Sequence, residues 1–235
     1  MDLRKLNSGL FVKLPSTQVV ELAAAAGFDF CLIDLEHSQL GESDAMRLLS
    51  HAAALGFPAL ARVSELDRGA VNRLLEAGAC GIQLSTVRTA DEVNALRAAT
   101  RYAPEGSRSI SLAHSRAAFG ATPMADYLAS ERKSPPLVIA QIETAETDDT
   151  LAEIVAARPD VVFIGTADLS ADVGLDAERF ERRVAEIADV VTAAGVVLGA
   201  IALDDARVGY RVLSSDLALL RSAATGALRA ELERR

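Results

Sequence analysis

One local pattern recurs along this sequence: a helical stretch ends at a glycine, and a short apolar run follows within a few residues. It is present in AAAAGFDFCLID (23–34), HAAALGFPALAR (51–62), LLEAGACGIQL (74–84) and VVTAAGVVLGAIA (190–202). Glycine suits the left-handed residue that ends a helix, and an apolar run without strict alternation is typical of a strand covered on both faces. The repetition therefore predicts a parallel sheet whose strands alternate with helices.

Eight apolar runs qualify as strands of this sheet. They are Leu10–Leu14, Phe28–Asp34, Pro58–Arg62, Gly81–Leu84, Leu137–Ile142, Val161–Gly165, Val196–Ala202 and Tyr210–Ser214. Eight strands alternating with helices in 235 residues favour an α/β fold of the TIM-type (β/α)8 barrel, formed as a single domain over residues 1–235. The first strand is not followed by G-x-G-x-x-G, which argues against a dinucleotide-binding open sheet.

Two segments interrupt the regular pattern. Residues 101–136 are longer than an ordinary connection, so we expect a binding loop, a lid or an interface segment there. Its basic residues Arg101, Arg108, His114 and Arg116 either reach an anionic ligand or are solvated surface charges. Residues 203–209, LDDARVG, are too few for a crossover helix. We expect a crossover shortened to a turn, an irregular barrel seam or a lost segment before the last strand.

Charge and composition exclude several classes of partner. A formal net charge of −9 argues against nucleic acid, and no apolar run is long enough to span a bilayer. The N-terminus does not read as a signal peptide, so we expect a cytoplasmic protein without a membrane partner. Cys31 and Cys80 lie in apolar segments without metal-ligand spacing and are interpreted as buried small hydrophobes.

Polar side chains follow four of the predicted strands, at the end where a TIM barrel carries its reacting groups. They are Asp34, Glu36 and His37 after the second, Arg62 after the third, Gln141 and Glu143 after the fifth, and Gly165, Thr166, Ala167 and Asp168 after the sixth. Because the carboxyl ends of parallel strands meet at one mouth, we expect these groups to converge there. Their convergence is the main indication of function.

Glu143 and Asp168 would repel each other at this mouth unless a cation lay between them. Oxygen donors without His or Cys at ligand spacing favour a hard divalent ion, Mg²⁺ or Mn²⁺, with Co²⁺ as a further candidate. The alternative is that each acid only stabilises the start of a helix.

Arg62 and His37 suggest the remaining chemistry. A guanidinium at the mouth suits a carboxylate or an enolate oxygen, although a surface ion pair with Glu65 or Asp67 is the alternative. His37 has Asp34 three residues before it and Glu76 as a second possible carboxylate partner. An imidazole beside a carboxylate is a candidate general base.

These residues and motifs together resemble the HpcH/HpaI aldolase family of metal-dependent pyruvate aldolases. The likeness extends from GLFVKLPS through AGFDFCLIDLEH, LARVSE, LLEAGACGIQL and RYAPEGSR to QIET and FIGTADLSADVG, and the last two strings form a specific signature. The resemblance implies a (β/α)8 barrel, usually assembled into hexamers with an exchanged terminal helix. It also implies cleavage of 4-hydroxy-2-oxo acids to pyruvate and an aldehyde, and the reverse addition.

The resemblance also implies roles for the residues at the mouth. Glu143 and Asp168 match the metal ligands, whereas Gln141 and the backbone around Gly165, Thr166 and Ala167 match the pyruvate site. His37 matches the catalytic base and Arg62 the arginine that stabilises the transition state. Glu76 matches an acid that raises the basicity of the histidine. No Schiff-base lysine is expected, since none of Lys5, Lys13 and Lys133 follows a mid-barrel strand.

The sequence departs from the family pattern at several positions. Glu76 replaces an aspartate, Thr166 a proline and Ser109 a glycine, and the segment 203–209 is short. Two other functions remain open: an acyl-CoA lyase of the citrate lyase β-subunit type, which would need more basic positions for CoA, and a catalytically silent barrel with a structural or binding role.

Overall fold

The computed structural model describes residues 6–234 and contains a closed barrel of parallel strands. The strands are β1 (Gly9–Val12), β2 (Phe30–Asp34), β3 (Ala59–Val63), β4 (Gly81–Leu84), β5 (Leu137–Ile142), β6 (Val161–Ile164), β7 (Val197–Ile201) and β8 (Val208–Ser215). They pair in chain order, and β8 closes on β1. The predicted TIM-type barrel is confirmed, with most strand boundaries within two residues of their expected positions.

Helices connect most of the strands. They are α1 (Thr17–Ala25), α2 (Glu42–Ala54), α3 (Arg68–Ala77), α4 (Ala90–Thr100), α5 (Met124–Lys133), α6 (Leu151–Ala156), α7 (Thr166–Asp172), α8 (Ala177–Ala193) and α9 (Asp216–Leu232). Several begin at side chains that accept a backbone N–H bond, including Asp67 before α3, Thr89 before α4 and Thr150 before α6. None of the helices formed by residues 6–234 is long and apolar enough to cross a membrane.

Alternate residues of each strand face the barrel interior and the surrounding helices. Phe30, Leu32, Phe163 and Tyr210 belong to the interior cluster, whereas the intervening residues pack beneath the helices. Towards the carboxyl ends of the strands the interior becomes polar, because buried polar side chains replace these apolar ones. They are Asp34, Arg62, Gln83 and Gln141.

The connection between β7 and β8 contains no helix. Residues 202–207 return directly to the start of β8, and β7 and β8 pair in parallel with a register shift beside Gly199. Arg211 on β8 donates to the carbonyl oxygens of Leu203 and Asp205, which fixes the short connection against the strand. The crossover is therefore shortened to a turn, and the barrel still closes.

The segment 101–136 packs around its own ion pairs. It contains a 3-10 turn at Ser115–Gly120 and the helix α5, which the sequence analysis did not predict. Arg108 and Arg116 both donate to Glu131, at 2.9 and 2.6 Å. These two arginines are neither free for an anion nor simply solvated.

The two cysteines differ in their surroundings. Cys31 is fully buried, and burial raises the pKa of its thiol to about 12. Cys80 is only partly buried. Both are free thiols, and the interpretation as a buried small hydrophobe fits Cys31 fully and Cys80 only in part.

Candidate active site

Asp34 and Arg62 form a buried ion pair at the barrel mouth. They lie opposite each other in the β2–β3 register, and Arg62 donates through Nε and Nη2 to the two Asp34 oxygens at 2.9 and 2.6 Å. Lys13 places its ammonium 2.9 Å from the same carboxylate. The predicted alternative, a surface pair of Arg62 with Glu65 or Asp67, is wrong because the guanidinium is held inside the barrel.

The charge of Asp34 is stabilised by these partners. Burial by itself would raise the pKa of the carboxyl group, but the hydrogen bonds and positive charge of Arg62, with help from Lys13, lower it to about 2. Asp34 is therefore a permanent anion at neutral pH.

Asp34 also shapes the turn that carries the next two candidates. Its Oδ1 accepts the backbone N–H groups of Glu36 and His37, both at 3.1 Å, and Lys13 donates to the His37 carbonyl oxygen. In this turn, the Asp34 carboxylate forms no hydrogen bond with the His37 imidazole, although the sequence analysis expected that contact. The carboxylate has turned towards Arg62 and Lys13, so it binds only the backbone of His37.

The His37 imidazole instead faces two other acids. Its Nε2 lies 3.8 Å from Glu36 Oε2 and 3.8 Å from Asp168 Oδ2, and the ring is half-exposed. Glu76 lies in the last turn of α3, where its carboxylate accepts a hydrogen bond from Asn72 at 3.1 Å. Since α3 begins at the mouth and runs towards the opposite end of the barrel, the structure does not bring Glu76 to His37 of the same chain.

Glu143 is buried immediately after β5 and is held on three sides. Thr86 donates to its Oε1 through both N–H (2.9 Å) and Oγ–H (2.7 Å), and Gln141 Nε2 donates to Oε2. Gly165 forms the third side: a Cβ there would meet Glu143 Oε2 and lie 2.7 Å from Glu143 Cβ. The glycine that follows β6 is therefore required for the carboxylate to fit.

Asp168 extends from the first turn of α7 towards the same cleft. Its side chain is half-exposed and faces His37. The cleft has a volume of about 410 Å³ and is lined by Glu36, His37, Thr86, Glu143, Asp168 and Asp172, among others. The two acids predicted to share a cation thus line one cleft, although they come from different parts of the chain.

The electrostatics of this cleft suit a divalent cation. Burial raises the pKa of Glu143, and the negative charges of Asp168 and Glu36 raise it further, against the hydrogen bonds from Thr86 and Gln141. A bound cation would relieve this repulsion. Residues 6–234 contain no group of three or more His, Cys, Asp and Glu side chains arranged around a metal position. Two carboxylates would leave coordination positions for water and substrate oxygens.

The predicted substrate-binding residues occupy the floor and one edge of the site. Gln141 is buried and accepts a hydrogen bond from Gln83 Nε2 at 2.5 Å. Thr166 and Ala167 begin α7, and the Thr166 hydroxyl donates to the Ile201 carbonyl oxygen at 3.3 Å. The Thr166 side chain is therefore bonded to the end of β7.

Sequence reasoning missed several contributors to the mouth. Ser85 donates to Glu36 Oε2 at 2.5 Å, Thr86 binds Glu143, and Gln83 supports Gln141. The available signal was the string QLST, which places polar residues at the end of β4 as the other strands do. Lys13, which we did not consider beyond excluding a Schiff base, also lies at the mouth, whereas Lys133 ends α5 and Lys5 lies outside the described residues.

Comparison with known proteins identifies relatives of this chain by sequence and by fold. The family model described as HpcH/HpaI aldolase/citrate lyase matches residues 7–218. The 4-hydroxy-2-oxo-heptane-1,7-dioate aldolase of Salmonella arizonae is 39% identical over 168 residues, which are 71% of this chain and 63% of the relative. The matched region therefore spans less than two thirds of the relative's length.

Two solved structures share the whole fold. The HpcH/HpaI aldolase of Desulfitobacterium hafniense has 25% identity and a TM-score of 0.86, with 97% of this chain and 93% of that chain covered. An HpcH/HpaI aldolase/citrate lyase family protein of Burkholderia cenocepacia has 29% identity and a TM-score of 0.87, with 97% and 95% covered.

Proposed function

The chain belongs to the HpcH/HpaI aldolase/citrate lyase family, and we propose that it is a divalent-cation-dependent aldolase that cleaves 4-hydroxy-2-oxo acids to pyruvate and an aldehyde. The observation that carries this proposal is the cleft shared by Glu143, Asp168 and His37. It combines two acids suited to a hard cation with one group able to take a proton. The reverse reaction, addition of pyruvate to an aldehyde, follows from the same chemistry.

Glu143 and Asp168 would hold the cation, with Mg²⁺ or Mn²⁺ preferred and Co²⁺ as a further candidate. When bound, such an ion acts as a Lewis acid that polarises the keto oxygen and stabilises the enolate of pyruvate. Gln141 and the backbone from Gly165 to Ala167 would contact the pyruvate half of the substrate. Gln141 is suited to this because its amide is fixed by Gln83 on one side and Glu143 on the other.

His37 would accept the proton of the C4 hydroxyl group, directly or through one water molecule. The electron pair of the broken O–H bond then forms the second bond of the aldehyde carbonyl, and the pair of the breaking C3–C4 bond passes to the pyruvate enolate. His37 is half-exposed in the cleft, and its Nε2 lies 3.8 Å from a carboxylate oxygen of Glu36 and 3.8 Å from one of Asp168.

Arg62 would donate to the developing negative charge. Two of its nitrogens bind Asp34, whereas Nη1 lies 3.4 Å from Glu36 at the edge of the cleft. Asp34 acts through Arg62 and the turn, so its proposed contribution is to position other groups. Glu76 does not reach His37 within one chain, and its predicted role has no support from the contacts of this structure.

A coupled assay tests the proposed reaction. Lactate dehydrogenase reports pyruvate released from a simple 4-hydroxy-2-oxo acid, with and without chelator and with Mg²⁺ or Mn²⁺ restored. Glu143→Ala and Asp168→Ala should each abolish turnover, whereas Glu178→Ala, an exposed acid on α8, should retain it. If the parent chain still turns over substrate in the presence of chelator, the proposed requirement for a divalent cation is wrong.

The same assay separates the alternatives. An acyl-CoA lyase would cleave malyl-CoA or citramalyl-CoA, but the described cations beside the cleft, Arg62 and Lys13, are both paired with Asp34 and are not free to bind CoA phosphates. A silent barrel would bind Mn²⁺ without turning over either class of substrate. The shortened connection before β8, its main support in the sequence, does not prevent closure.

We further propose that the protein assembles through α9. The residues of this helix from Arg221 to Leu232 are all exposed, including Leu228 and Leu232. The helix is anchored to the segment just after β1 by Asp216, which accepts the N–H groups of Lys13 and Leu14. The outer face of β8, where a helix would cover a complete barrel, leaves Leu213 half-exposed. An unpacked apolar helix and an uncovered strand in the same chain favour exchange with a second copy.

Sedimentation velocity tests this assembly. Leu220→Asp with Leu228→Asp should lower the mass of the particle without changing the circular dichroism spectrum, because both side chains are exposed in the single chain. A parent chain that sediments as a monomer would refute the proposal.

A further inference from the structure

The turn after β4 presents two hydroxyl groups to two different acids of the cleft. Ser85 donates to Glu36, and the next residue, Thr86, donates to Glu143. Neither residue has a role in the proposed reaction. The two contacts therefore raise the question of what this turn contributes to the site.

Thr86 lies just after β4, where the chain changes from bonding with the β3 side to bonding with the β5 side. The Ser85 N–H donates to the Val63 carbonyl oxygen on the β3 side, and the Val87 N–H donates to the Gln141 carbonyl oxygen on the β5 side. The Thr86 N–H is left for a side chain, and it donates to Glu143 Oε1. One acceptor oxygen thus receives both the backbone and the hydroxyl hydrogen of the same residue.

The backbone conformation of Thr86 is unusual for its residue type. Its φ of +51° lies in the left-handed region, which a β-branched residue adopts rarely. Glycine or asparagine would fit this conformation with less strain, but glycine would supply no side-chain hydrogen bond. Residues held in this way are concentrated at functional sites, where the surrounding structure maintains them.

Glu143 has little freedom to choose another orientation. Gln141 donates a hydrogen bond to its Oε2. Gly165 packs so closely against the Glu143 side chain that a Cβ at residue 165 would clash with it. Thr86 supplies the remaining constraint, on Oε1, from the side that lines the cleft. Without the hydrogen bonds from Thr86, repulsion by the Asp168 and Glu36 carboxylates would turn the Glu143 carboxylate away from the cleft whenever no cation is bound.

We propose that Thr86 is a positioning residue, which holds the Glu143 carboxylate in the orientation that binds the cation by donating its N–H and Oγ–H to one oxygen. This inference rests on the proposed function, because it concerns a ligand of the proposed cation. Thr86 itself need not touch the cation or the substrate. Its contribution should therefore be visible in cation affinity before any turnover is measured.

Mn²⁺ binding followed by electron paramagnetic resonance tests the inference directly. Thr86→Val removes the hydroxyl group, and we expect Mn²⁺ affinity to fall by about tenfold, as is usual when a group that supports a metal ligand is lost. Thr86→Ser keeps the hydroxyl group and should bind within about twofold of the parent if the hydroxyl is what matters. In the coupled assay, the KM of Thr86→Val should approach that of the parent at saturating Mn²⁺.

Two further variants keep the test independent of folding. Thr86→Gly relieves the left-handed backbone, so it should fold at least as stably as the parent while binding Mn²⁺ as weakly as Thr86→Val. Thr150→Val removes a hydroxyl bond to a carboxylate, that of Glu153, at the start of α6 and outside the cleft. It should lower stability and leave Mn²⁺ affinity within about twofold of the parent.

The outcomes distinguish this inference from the proposed function. Parent affinity in both Thr86→Val and Thr86→Gly, with full cation-dependent turnover, would overturn the positioning role and leave the aldolase intact. A parent chain that does not bind Mn²⁺ would overturn the cation assignment, and the inference would fall with it. Weak binding in both variants, rescued by serine, is the result that we expect.

Discussion

Asp34→Asn removes the negative charge on which the polar mouth is organised. In the parent, this fully buried carboxylate binds Arg62 at 2.6 and 2.9 Å and Lys13 at 2.9 Å, and it accepts two backbone N–H groups of the following turn. Asparagine has nearly the same shape but cannot neutralise either cation. The substitution therefore leaves the Arg62 guanidinium buried without its main counter-ion.

The expected cost follows from two independent considerations. The lowering of the Asp34 pKa from 3.8 to about 2 corresponds to about 2 kcal/mol of folding free energy at neutral pH. Removing one partner of a buried ion pair costs about 3–5 kcal/mol, because the other charge is left uncompensated. We expect Asp34→Asn to lower the free energy of unfolding by about 3 kcal/mol, a large part of the roughly 5–15 kcal/mol that stabilises a typical domain.

Urea unfolding followed by circular dichroism, at a fixed protein concentration, measures this loss at pH 7. Since the folded pKa is lowered, the stabilisation is present above pH 4 and is lost as the pH falls from about 4 towards 2. The parent and Asp34→Asn should therefore converge in stability over that range.

Asp29→Asn is the matched control for this experiment. The Asp29 carboxylate accepts backbone N–H bonds from Asn7 and Ser8, and the described contacts give it no cation partner. We expect it to cost about 1 kcal/mol. A loss below about 1 kcal/mol for Asp34→Asn, or a difference that persists unchanged at pH 2, would refute the account of a charge-organised mouth.

Two further predictions concern the cleft. Gly165→Ala should abolish turnover and lower stability by about 1–3 kcal/mol, because its Cβ would lie 2.7 Å from Glu143 Cβ. Gly41→Ala, whose Cβ would meet its nearest atom at 3.9 Å, should retain activity, and a fully active Gly165→Ala would contradict the packing argument. Since acids line the cleft, and the nearby cations Arg62 and Lys13 are already paired with Asp34, aldehydes without a second carboxylate should be preferred. Competition between acetaldehyde and succinic semialdehyde in the pyruvate addition measures this preference, and faster use of the dicarboxylate partner would refute it.

The barrel could be predicted because its signals are local. A glycine after each of the helices α1, α2 and α3, and the short apolar run that follows it, place β2, β3 and β4 within two residues of their observed starts. Parallel strands then require their carboxyl ends to share one rim. For this reason, the approach of Glu143 to Asp168 could be anticipated without any knowledge of the intervening loops.

The partners of individual side chains could not be predicted in the same way. Asp34 and His37 are three residues apart, and this proximity suggested a contact between their side chains. The alternation of a strand instead directs Asp34 into the barrel, where the β2–β3 register sets it beside Arg62. The predicted contact of Glu76 with His37 fails for a related reason: Glu76 lies in the last turn of α3, and α3 runs away from the mouth at which it begins. The role of Thr86 depends on one backbone angle, which its residue type does not suggest.

Asp34 and Glu143 are both buried carboxylates at the rim, and burial raises the pKa of each, yet the net shifts of the two pKa values are opposite. Fixed cations just after β1 and on β3 compensate Asp34 and lower its pKa, whereas Glu143 has only neutral donors and two neighbouring acids, so burial and these acids leave its pKa raised. A Lys or Arg side chain beside Glu143 would stabilise its negative charge, but it would also occupy the position where an exchangeable divalent ion would bind. The β1–β3 side of the mouth is therefore built to be permanently neutralised and rigid, and the β4–β6 side is left with an unmet negative charge. That difference, more than the number of acids, indicates on which side a divalent ion and a chelating substrate would bind.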